Sequence, residues 1–433
     1  MVQPARSTGD VRLHKRMAKS DLFLLASSIL LQVCLALFLG HAYDMRIFMA
    51  TGYLVGTGQN PYIAQDLSAV FHDSGFKGIT TLGYFPPWAM VLGLISLVTF
   101  QLIPNFLFYN LAIKLPVIAA NICLAYLVVS ILHRLGIQEK TVHRAWIFLL
   151  FNPFLLLMSA AWGQFDSIVA LLTLFSLLKL SEGKIAGPAL LLALAISFKP
   201  TPLPVLPVIF VYLAGRSIKN TLSYFAIFSA GVLLFCALPF VIFGWSPAPI
   251  LQHWDFHFTV GGALSFMTFL EYTTWSNALP GQLWFLGWLW VPALGIAMVI
   301  IKGGVKDFND LVKKSVALVM VFYLCRAWAA ETNVVLVLPL ALILVSTNEL
   351  DRLSLAALWV LPLTFSFFNT SLAQLLFPSL PGLMDRLLKF AGEFSSARYD
   401  LRTLIVVIWL VAGWRVAIAC LKRVKVKPEM IPV

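Results

Sequence analysis

The feature that most constrains this chain is a series of apolar runs, each long enough to cross a lipid bilayer. A helical crossing needs about 20 residues, and such runs recur with short polar loops between them. A segment in lipid must satisfy its own backbone hydrogen bonds, so these runs are predicted to be helices. With 60% hydrophobic and 12% charged residues, the composition excludes an ordinary soluble domain. The predicted fold class is an all-α polytopic integral membrane protein.

The distribution of basic residues orients the predicted helices. Basic residues are concentrated before the first run and in alternate loops, as the positive-inside rule requires. This alternation predicts about twelve transmembrane helices, with the N- and C-termini both cytoplasmic. The predicted crossings are 21–40, 106–132, 145–160, 167–181, 185–198, 201–214, 221–243, 283–301, 315–330, 334–347, 353–369 and 401–421.

The apolar run 86–103 does not fit this alternation, because a further crossing there would place Arg134 outside. Prolines bracket the run at 86, 87 and 104, so it is predicted to be a re-entrant or interfacial segment. External juxtamembrane helices are expected in the longer loops. No cleavage site follows the basic start, so the first run is interpreted as a retained anchor in a multi-pass protein.

Two compositional features exclude other classes. The net charge of +12 is concentrated in the tails and short loops, and we expect membrane lipids rather than nucleic acid as partners. The five cysteines are odd in number, and their spacing fits neither a metal site nor a disulfide framework.

The loop after the first predicted helix carries the segment HAYDMRIFMATGYLVGTGQNPY, residues 41–62. It places the carboxylate of Asp44 at the end of a membrane helix and ahead of a short amphipathic stretch. Such an acid suits a catalytic site at the membrane surface. Asp is also a preferred N-cap residue, so Asp44 has a purely structural alternative, and the two roles can coexist.

Other polar residues fall on the same predicted side of the membrane, and each has a structural alternative. Asp166 is either a helix N-cap or, with Gln164, a ligand for sugar hydroxyls. Lys199 either extends its amine to the interface or faces a phosphate. In the loop HWDFHF, His253 and His257 suit substrate binding better than metal binding. Arg326 and Glu331 form either an ion pair closing a turn or part of a phosphate site.

Four segments, in chain order, resemble the GT-C superfamily of polytopic glycosyltransferases, and within it the polyprenyl-phosphate-mannose-dependent mannosyltransferases. The resemblance covers roughly residues 20–215. It implies a GT-C-like catalytic module at 20–215 and a more variable helical module at 216–433, within one integral membrane domain, 1–433. The segments are YDMRIFMATGYLVGTGQNPY, YFPPW, NPFLLLMSAAWGQFDSIVALLTLFSLL and SFKPTPLPVLP.

The resemblance implies a hexosyltransferase that moves mannose from a polyprenyl-phosphate donor to a lipid-linked or glycan acceptor on the external face, in the cell membrane if the source is prokaryotic. Asp44 would be the general base. Relatives often carry an Asp-x-Asp pair where this chain has a single acid, which favours a metal-free site without cofactors over a divalent-metal site. The substrate-binding residues would be Arg46, Tyr62, Gln164, Asp166, Lys199, His253, His257, Arg326 and Glu331.

Two other function classes fit part of the pattern. A secondary transporter or a lipid or lipid-linked-sugar flippase would also have about twelve helices, although inverted or parallel repeats are typical of transporters and none is evident here. A non-catalytic subunit of a membrane complex would have the same hydropathy, but it leaves the Asp44 loop unexplained.

Overall fold

The computed structural model describes residues 19–79, 82–252, 260–270, 281–301, 304–369 and 371–422. Within them almost all regular structure is helical, and β1 (Gly262–Ala263) and β2 (Trp328–Ala329) form a two-stranded parallel pair. The predicted fold class is confirmed: the protein is an all-α polytopic membrane protein. The predicted division near residue 215 stays a prediction.

The helices of the N-terminal part vary from 4 to 29 residues in length. They are α1 (Lys19–Phe38), α2 (Ala42–Gly56), α3 (Ser68–Phe71), α4 (Pro86–Val98), α5 (Phe106–Arg134), α6 (Glu139–Phe151), α7 (Pro153–Leu156), α8 (Asp166–Ser181), α9 (Ala186–Phe198), α10 (Val205–Ala214), α11 (Ile218–Val232) and α12 (Leu238–Phe243). Two π turns extend this part of the chain at Leu157–Ala161 and Leu233–Ala237.

The described C-terminal part adds further helices. They are α13 (Trp290–Ile301), α14 (Phe308–Leu324), α15 (Val337–Ser346), α16 (Arg352–Phe368), α17 (Ser371–Gln374), α18 (Pro381–Glu393) and α19 (Ser395–Leu421). Short 3-10 helices lie at Ser74–Phe76, Gly281–Trp288 and Glu331–Leu336.

Each predicted crossing overlaps a helix of the structure. Six helices in the described residues are long and apolar enough to cross a membrane: Lys19–Phe38, Phe106–Arg134, Glu139–Ala161, Ile218–Phe243, Leu283–Ile301 and Ser395–Leu421. The number of crossings stays a prediction, since several other apolar helices are shorter. The predicted span 315–330 extends too far, because α14 ends at Leu324 and the following residues form β2.

The questioned run 86–103 forms α4, a helix of 13 residues that begins with two prolines. Its length of about 20 Å is less than the thickness of the hydrocarbon core. α4 packs closely against α2, since a Cβ at Gly52 of α2 would lie 2.7 Å from the Leu92 carbonyl oxygen. The structure therefore pairs the segment with the Asp44 helix, while its re-entrant or interfacial placement stays a prediction.

We expect Gly52→Ala to destabilise the protein by about 1–3 kcal/mol, the usual cost of overpacking a core. The added methyl group would meet the Leu92 carbonyl and the Tyr109 hydroxyl, which itself donates to the Met49 carbonyl. The matched control is Gly187→Ala in α9, where the new methyl group meets no atom within 4 Å. Thermal unfolding in detergent checks the difference, and equal midpoints for the two variants would contradict this packing.

Two apolar clusters organise the described structure. The larger one joins α5, α6, α8 and α9 to α14, α15 and α19, so it draws on both halves of the chain. The smaller one surrounds α2 and α4, with Phe48, Trp88 and Phe165 among its buried rings. It is this second cluster that fixes the position of the Asp44 loop.

Candidate functional site

The site is built around Asp44, in the first turn of α2. The Trp162 indole Nε1 donates a hydrogen bond to Asp44 Oδ2 at 2.6 Å, and His41 Nδ1 lies 3.2 Å from the same oxygen. The His41 ring stacks on Trp162 with centroids 4.1 Å apart. His41, rather than Asp44, occupies the N-cap position of α2, and its side chain makes no capping bond. The predicted N-cap role of Asp44 is therefore not what the structure shows.

A buried lysine of α5 holds together the backbone that carries these groups. Lys114 is fully buried, and its Nζ donates to the carbonyls of Ala36 at 3.3 Å, Ala161 at 3.1 Å, and Leu39. Asn110, one turn earlier, donates to the Ala36 carbonyl at 2.6 Å and to the Leu39 carbonyl at 3.0 Å. Carbonyls at the end of a helix lack hydrogen-bond donors within the helix. Lys114 and Asn110 donate to such carbonyls just before His41 and Trp162 in the chain.

Sequence reasoning missed Lys114 and Asn110 because both lie inside the predicted span 106–132. The signal was nevertheless present. Ionisable residues within membrane helices are rare, and they usually face the protein interior and pair with other groups or with backbone carbonyls. The lysine in the run FLFYNLAIKLPVIAA is such a residue.

A second polar group lies at the start of α8 and the end of α9. The Lys199 amine contacts both carboxylate oxygens of Asp166, at 2.8 and 2.9 Å, and lies 3.4 Å from the Thr332 hydroxyl. All three residues are buried. Asp166 is neither the N-cap of α8, which is Phe165, nor free to act alone. The lysine predicted to reach the interface or to face a phosphate is thus neutralised by a carboxylate.

Tyr84 connects the two groups. Burial raises the pKa of its phenol well above the ordinary value, and the negative charges of Asp44 and Asp166 raise it further. Its ring lies 5.8 Å from the Lys199 amine. Because the charges of both carboxylates act on one phenol, the structure places Asp44 and Asp166 near Tyr84, while their role as a substrate site stays a prediction. Tyr84 is not predicted as a site residue by the sequence analysis.

Gln164 is a further buried residue of the site, and its predicted role in substrate binding stays a prediction. Its side chain forms hydrogen bonds with both Asp44 and Tyr84. Its Oε1 atom has no hydrogen-bond partner within the part of the chain that the structure describes. A buried acceptor of this kind is costly unless something donates to it. Gln164 Oε1 is therefore available to a hydroxyl or amine of a ligand.

Electrostatics keep Asp44 ionised. Burial alone would raise the pKa of its carboxyl, but the neighbouring His41, together with hydrogen bonds from Trp162 and Gln164, outweighs burial and lowers the pKa below its ordinary value. An efficient general base has a pKa near the operating pH. Asp44 is therefore better suited to accept hydrogen bonds than to remove protons.

We expect Asp44→Asn to cost about 1–3 kcal/mol of stability at pH 7, because Trp162 and His41 then face a neutral amide in place of a charged acceptor. A carboxyl whose folded-state pKa is lowered stabilises the protein above its unfolded-state pKa and loses this contribution as the pH falls through the folded-state pKa. The stability difference between wild type and variant should therefore persist at pH 5 and shrink below about pH 4. Thermal midpoints at a series of pH values check this, and a difference that vanishes near pH 6 or 7 would contradict the lowered pKa.

Arg326 and Glu331 are close in sequence but do not form an ion pair in the described structure. The Arg326 guanidinium lies over the Phe322 ring, 4.8 Å from its centroid, and the Arg326 carbonyl accepts a hydrogen bond from Ser265 at 2.6 Å. Glu331 is buried, lies 3.4 Å from the Ser366 hydroxyl, and interacts electrostatically with His41. The charge of Arg402 acts on the Glu331 carboxyl more strongly than that of His41, and the neighbouring Thr332 lies beside Lys199.

The remaining predicted residues lie at the margins. Arg46 donates to Asp73 Oδ2 at 3.0 Å and stacks over Phe377, so its charge is already matched. Tyr62 is buried and donates to the Tyr84 carbonyl at 3.2 Å, which links it to the site. His253 and His257 lie outside the described residues. Whether any of these binds a ligand stays a prediction.

The described residues contain no group of three or more His, Cys, Asp or Glu side chains placed to hold a metal ion. Cation ligation by carboxylates requires several oxygen ligands, whereas Asp166 is paired with Lys199 and Asp44 accepts from Trp162. The prediction of a site without metal or cofactor stays a prediction.

Part of the chain matches a known protein family. Residues 85–278 are similar to a family described as the GPI transamidase subunit PIG-U. The match covers less than half of the chain; it includes Trp162, Gln164, Asp166 and Lys199 and begins after Asp44. No match was found among curated proteins.

This match overturns the functional expectation from the sequence. The predicted assignment to the GT-C mannosyltransferases is wrong, and with it the predicted glycosyltransferase activity, the polyprenyl-phosphate sugar donor and the lipid-linked or glycan acceptor. The transporter or flippase alternative is not supported either. Two of the four quoted segments lie within 85–278 and YFPPW begins one residue before it, so these segments do not distinguish a glycosyltransferase from a transamidase subunit. Single acids between apolar runs do not separate two families of multi-pass proteins.

Proposed function

We propose that this chain is a non-catalytic membrane subunit of a complex that attaches lipid anchors to proteins, and that it binds the polar head of the anchor lipid. The observation that carries the proposal is the similarity of residues 85–278 to a GPI transamidase subunit. Partners would be the other subunits of that complex and the proteins that receive the anchor.

The geometry supports binding rather than catalysis. Contacts with His41 and Trp162 lower the pKa of Asp44 despite its burial, and Lys199 is paired with Asp166, so neither is poised to exchange a proton. A few convergent polar groups in an apolar setting are typical of a ligand site. Here they are a carboxylate, an unpartnered amide oxygen on Gln164 and a phenol on Tyr84. These acceptors and donors match the hydroxyls and amines of a glycosylated lipid head.

The proposal also specifies an orientation. Basic loops mark the cytoplasmic side, which places both termini there and the Asp44 site on the opposite face of the membrane. We expect a cysteine at exposed position Gln138 to react with an impermeant maleimide from the cytoplasm and one at exposed Ser74 to react from the other side. The five native cysteines are replaced first. Labelling of both positions from one side would contradict the orientation.

A cellular experiment tests the function. Deletion of the gene should leave precursor proteins without their lipid anchor while the complete anchor lipid accumulates. If the anchor lipid were instead missing or truncated, the chain would act in lipid assembly, and the proposal would be rejected. Reintroduction of the wild-type chain provides the control for the deletion.

A binding experiment tests the site. In nanodiscs, the purified chain should bind glycosylphosphatidylinositol more tightly than phosphatidylinositol, and Asp44→Asn should weaken that binding about tenfold, which corresponds to about 1.4 kcal/mol. The matched control is Asp73→Asn, which removes the same charge from the Arg46 ion pair. Equal binding by both variants would exclude Asp44 from the lipid site.

A further inference from the structure

The helix α18 (Pro381–Glu393) differs from its neighbours in having a clear division between polar and apolar sides. At 100° per residue, its charged side chains share one side, and its apolar side chains share a continuous arc on the other. The charged set is Asp385, Arg386, Lys389 and Glu393, and the apolar set is Leu383, Met384, Leu387, Leu388 and Phe390.

The protein covers only half of this apolar arc. Met384 is buried and Leu388 packs against the cluster around α2. Leu383, Leu387 and Phe390, which we call the exposed stripe, are 37%, 39% and 59% exposed. The stripe is contiguous along the helix, whereas scattered single exposed apolar residues need no explanation.

Hydrogen bonds hold α18 beside two predicted membrane helices, α16 and α19. Arg398, in the first turn of α19, donates to the Ala391 carbonyl at 3.0 Å and to the Phe368 carbonyl at 3.1 Å. It thereby ties the last turn of α18 to the end of α16. The exposed stripe continues through Phe394, whose ring lies 5.0 Å from that of Phe390, towards exposed Leu401 of α19. Leu401 lies seven residues after Phe394, which at 100° per residue puts both on the same side, so the stripe lines up with the outer surface of a helix long enough to cross the membrane.

The chain just before α18 is attached to the Asp44 loop. The Gly40 amide donates to the Leu375 carbonyl at 2.7 Å, and the Ser379 hydroxyl contacts the Phe38 carbonyl. A Cβ on Gly40 would also lie 3.0 Å from Pro378. Any surface that fixes α18 therefore fixes the end of α1 and the start of α2.

We propose that α18 lies in the head-group layer of the bilayer, with the exposed stripe against the hydrocarbon boundary, and that it sets the depth of the Asp44 loop. An apolar face beside a charged face, with Arg386 and Lys389 able to meet lipid phosphates, is typical of helices lying in a membrane interface. The bilayer is the occupant because the stripe continues onto the outer surface of α19. This inference does not depend on the proposed function.

Spin labels in the full chain test the proposal. Single cysteines are placed at Leu387 and Phe390 on the stripe, and at Asp385 and Lys389 on the polar side as matched controls, after replacement of the native cysteines. The chain is reconstituted in phosphatidylcholine vesicles containing phosphatidylglycerol. We expect labels at 387 and 390 to collide preferentially with oxygen, which concentrates in lipid, and labels at 385 and 389 to collide preferentially with an aqueous nickel chelate.

Two results would overturn the proposal. If labels at 387 and 390 behave like those at 385 and 389, the stripe faces water. If labels at 387 and 390 are shielded from both oxygen and nickel, protein covers the stripe, as in a second copy of the chain. All four positions are exposed in the structure, so the labels do not disturb the core.

Discussion

Lys114→Met should be among the most destabilising single substitutions in this chain, at about 2–4 kcal/mol. The methionine side chain fills a similar volume but cannot donate to the carbonyls of Ala36, Leu39 and Ala161. Hydrogen bonds between membrane helices are worth about 1 kcal/mol each, and buried carbonyls without partners carry a desolvation cost. The apparent thermal midpoint of the purified protein measures the loss.

The matched control is Lys184→Met, the same substitution at an exposed lysine beside Glu182. Surface ion pairs are worth about 0–1 kcal/mol, so this variant should unfold close to the wild type. A small effect at Lys114 as well would mean that water replaces the amine at the three carbonyls. Lys114 would then not be the support of the Asp44 loop.

Asp166→Asn should destabilise the protein by about 3–5 kcal/mol, the cost of leaving one partner of a buried ion pair uncompensated. The variant leaves the buried Lys199 amine beside a neutral amide in place of a carboxylate, with the Thr332 hydroxyl 3.4 Å away. Lys199→Met should cost a comparable amount by leaving the carboxylate of Asp166 unpaired. Unfolding of both variants in the same detergent gives the two values.

The double variant Asp166→Asn with Lys199→Met completes the cycle. It removes both charges, so its destabilisation should be smaller than the sum of the single effects by at least about 1 kcal/mol. Additive effects would show that the two side chains do not interact in solution. Such a result would reopen the prediction that Lys199 faces a phosphate.

The prediction of a glycosyltransferase was wrong for a physical reason. Apolar runs, kink-forming prolines and single acids at helix ends follow from residence in a membrane, so families with different activities share them. The segment AAWGQFDS and all of YFPPW except Tyr84 lie within the match to a transamidase subunit. What distinguishes a base from a binding group is its environment, and Asp44 acquires that environment from Trp162, 118 residues away.

The sequence by itself determined the helices and the fold class. Backbone groups in lipid must pair within their own segment, so hydropathy alone places helices at the predicted crossings. The same local rule located Asp44, Gln164, Asp166 and Lys199 at helix ends. Their common location followed from the alternation of basic loops, which is also a property of the sequence.

Only the tertiary structure decided which of these residues are partners. Lys199 pairs with Asp166 across 33 positions, and Lys114 reaches carbonyls of α1 that lie 75 or more positions earlier in the chain. Such contacts depend on how α5, α8 and α9 pack, and packing is set by side-chain shape over many residues at once. A local pattern does not specify that choice, because in lipid no hydrophobic driving force favours one helix neighbour over another, and the choice depends on shape complementarity and interhelical hydrogen bonds.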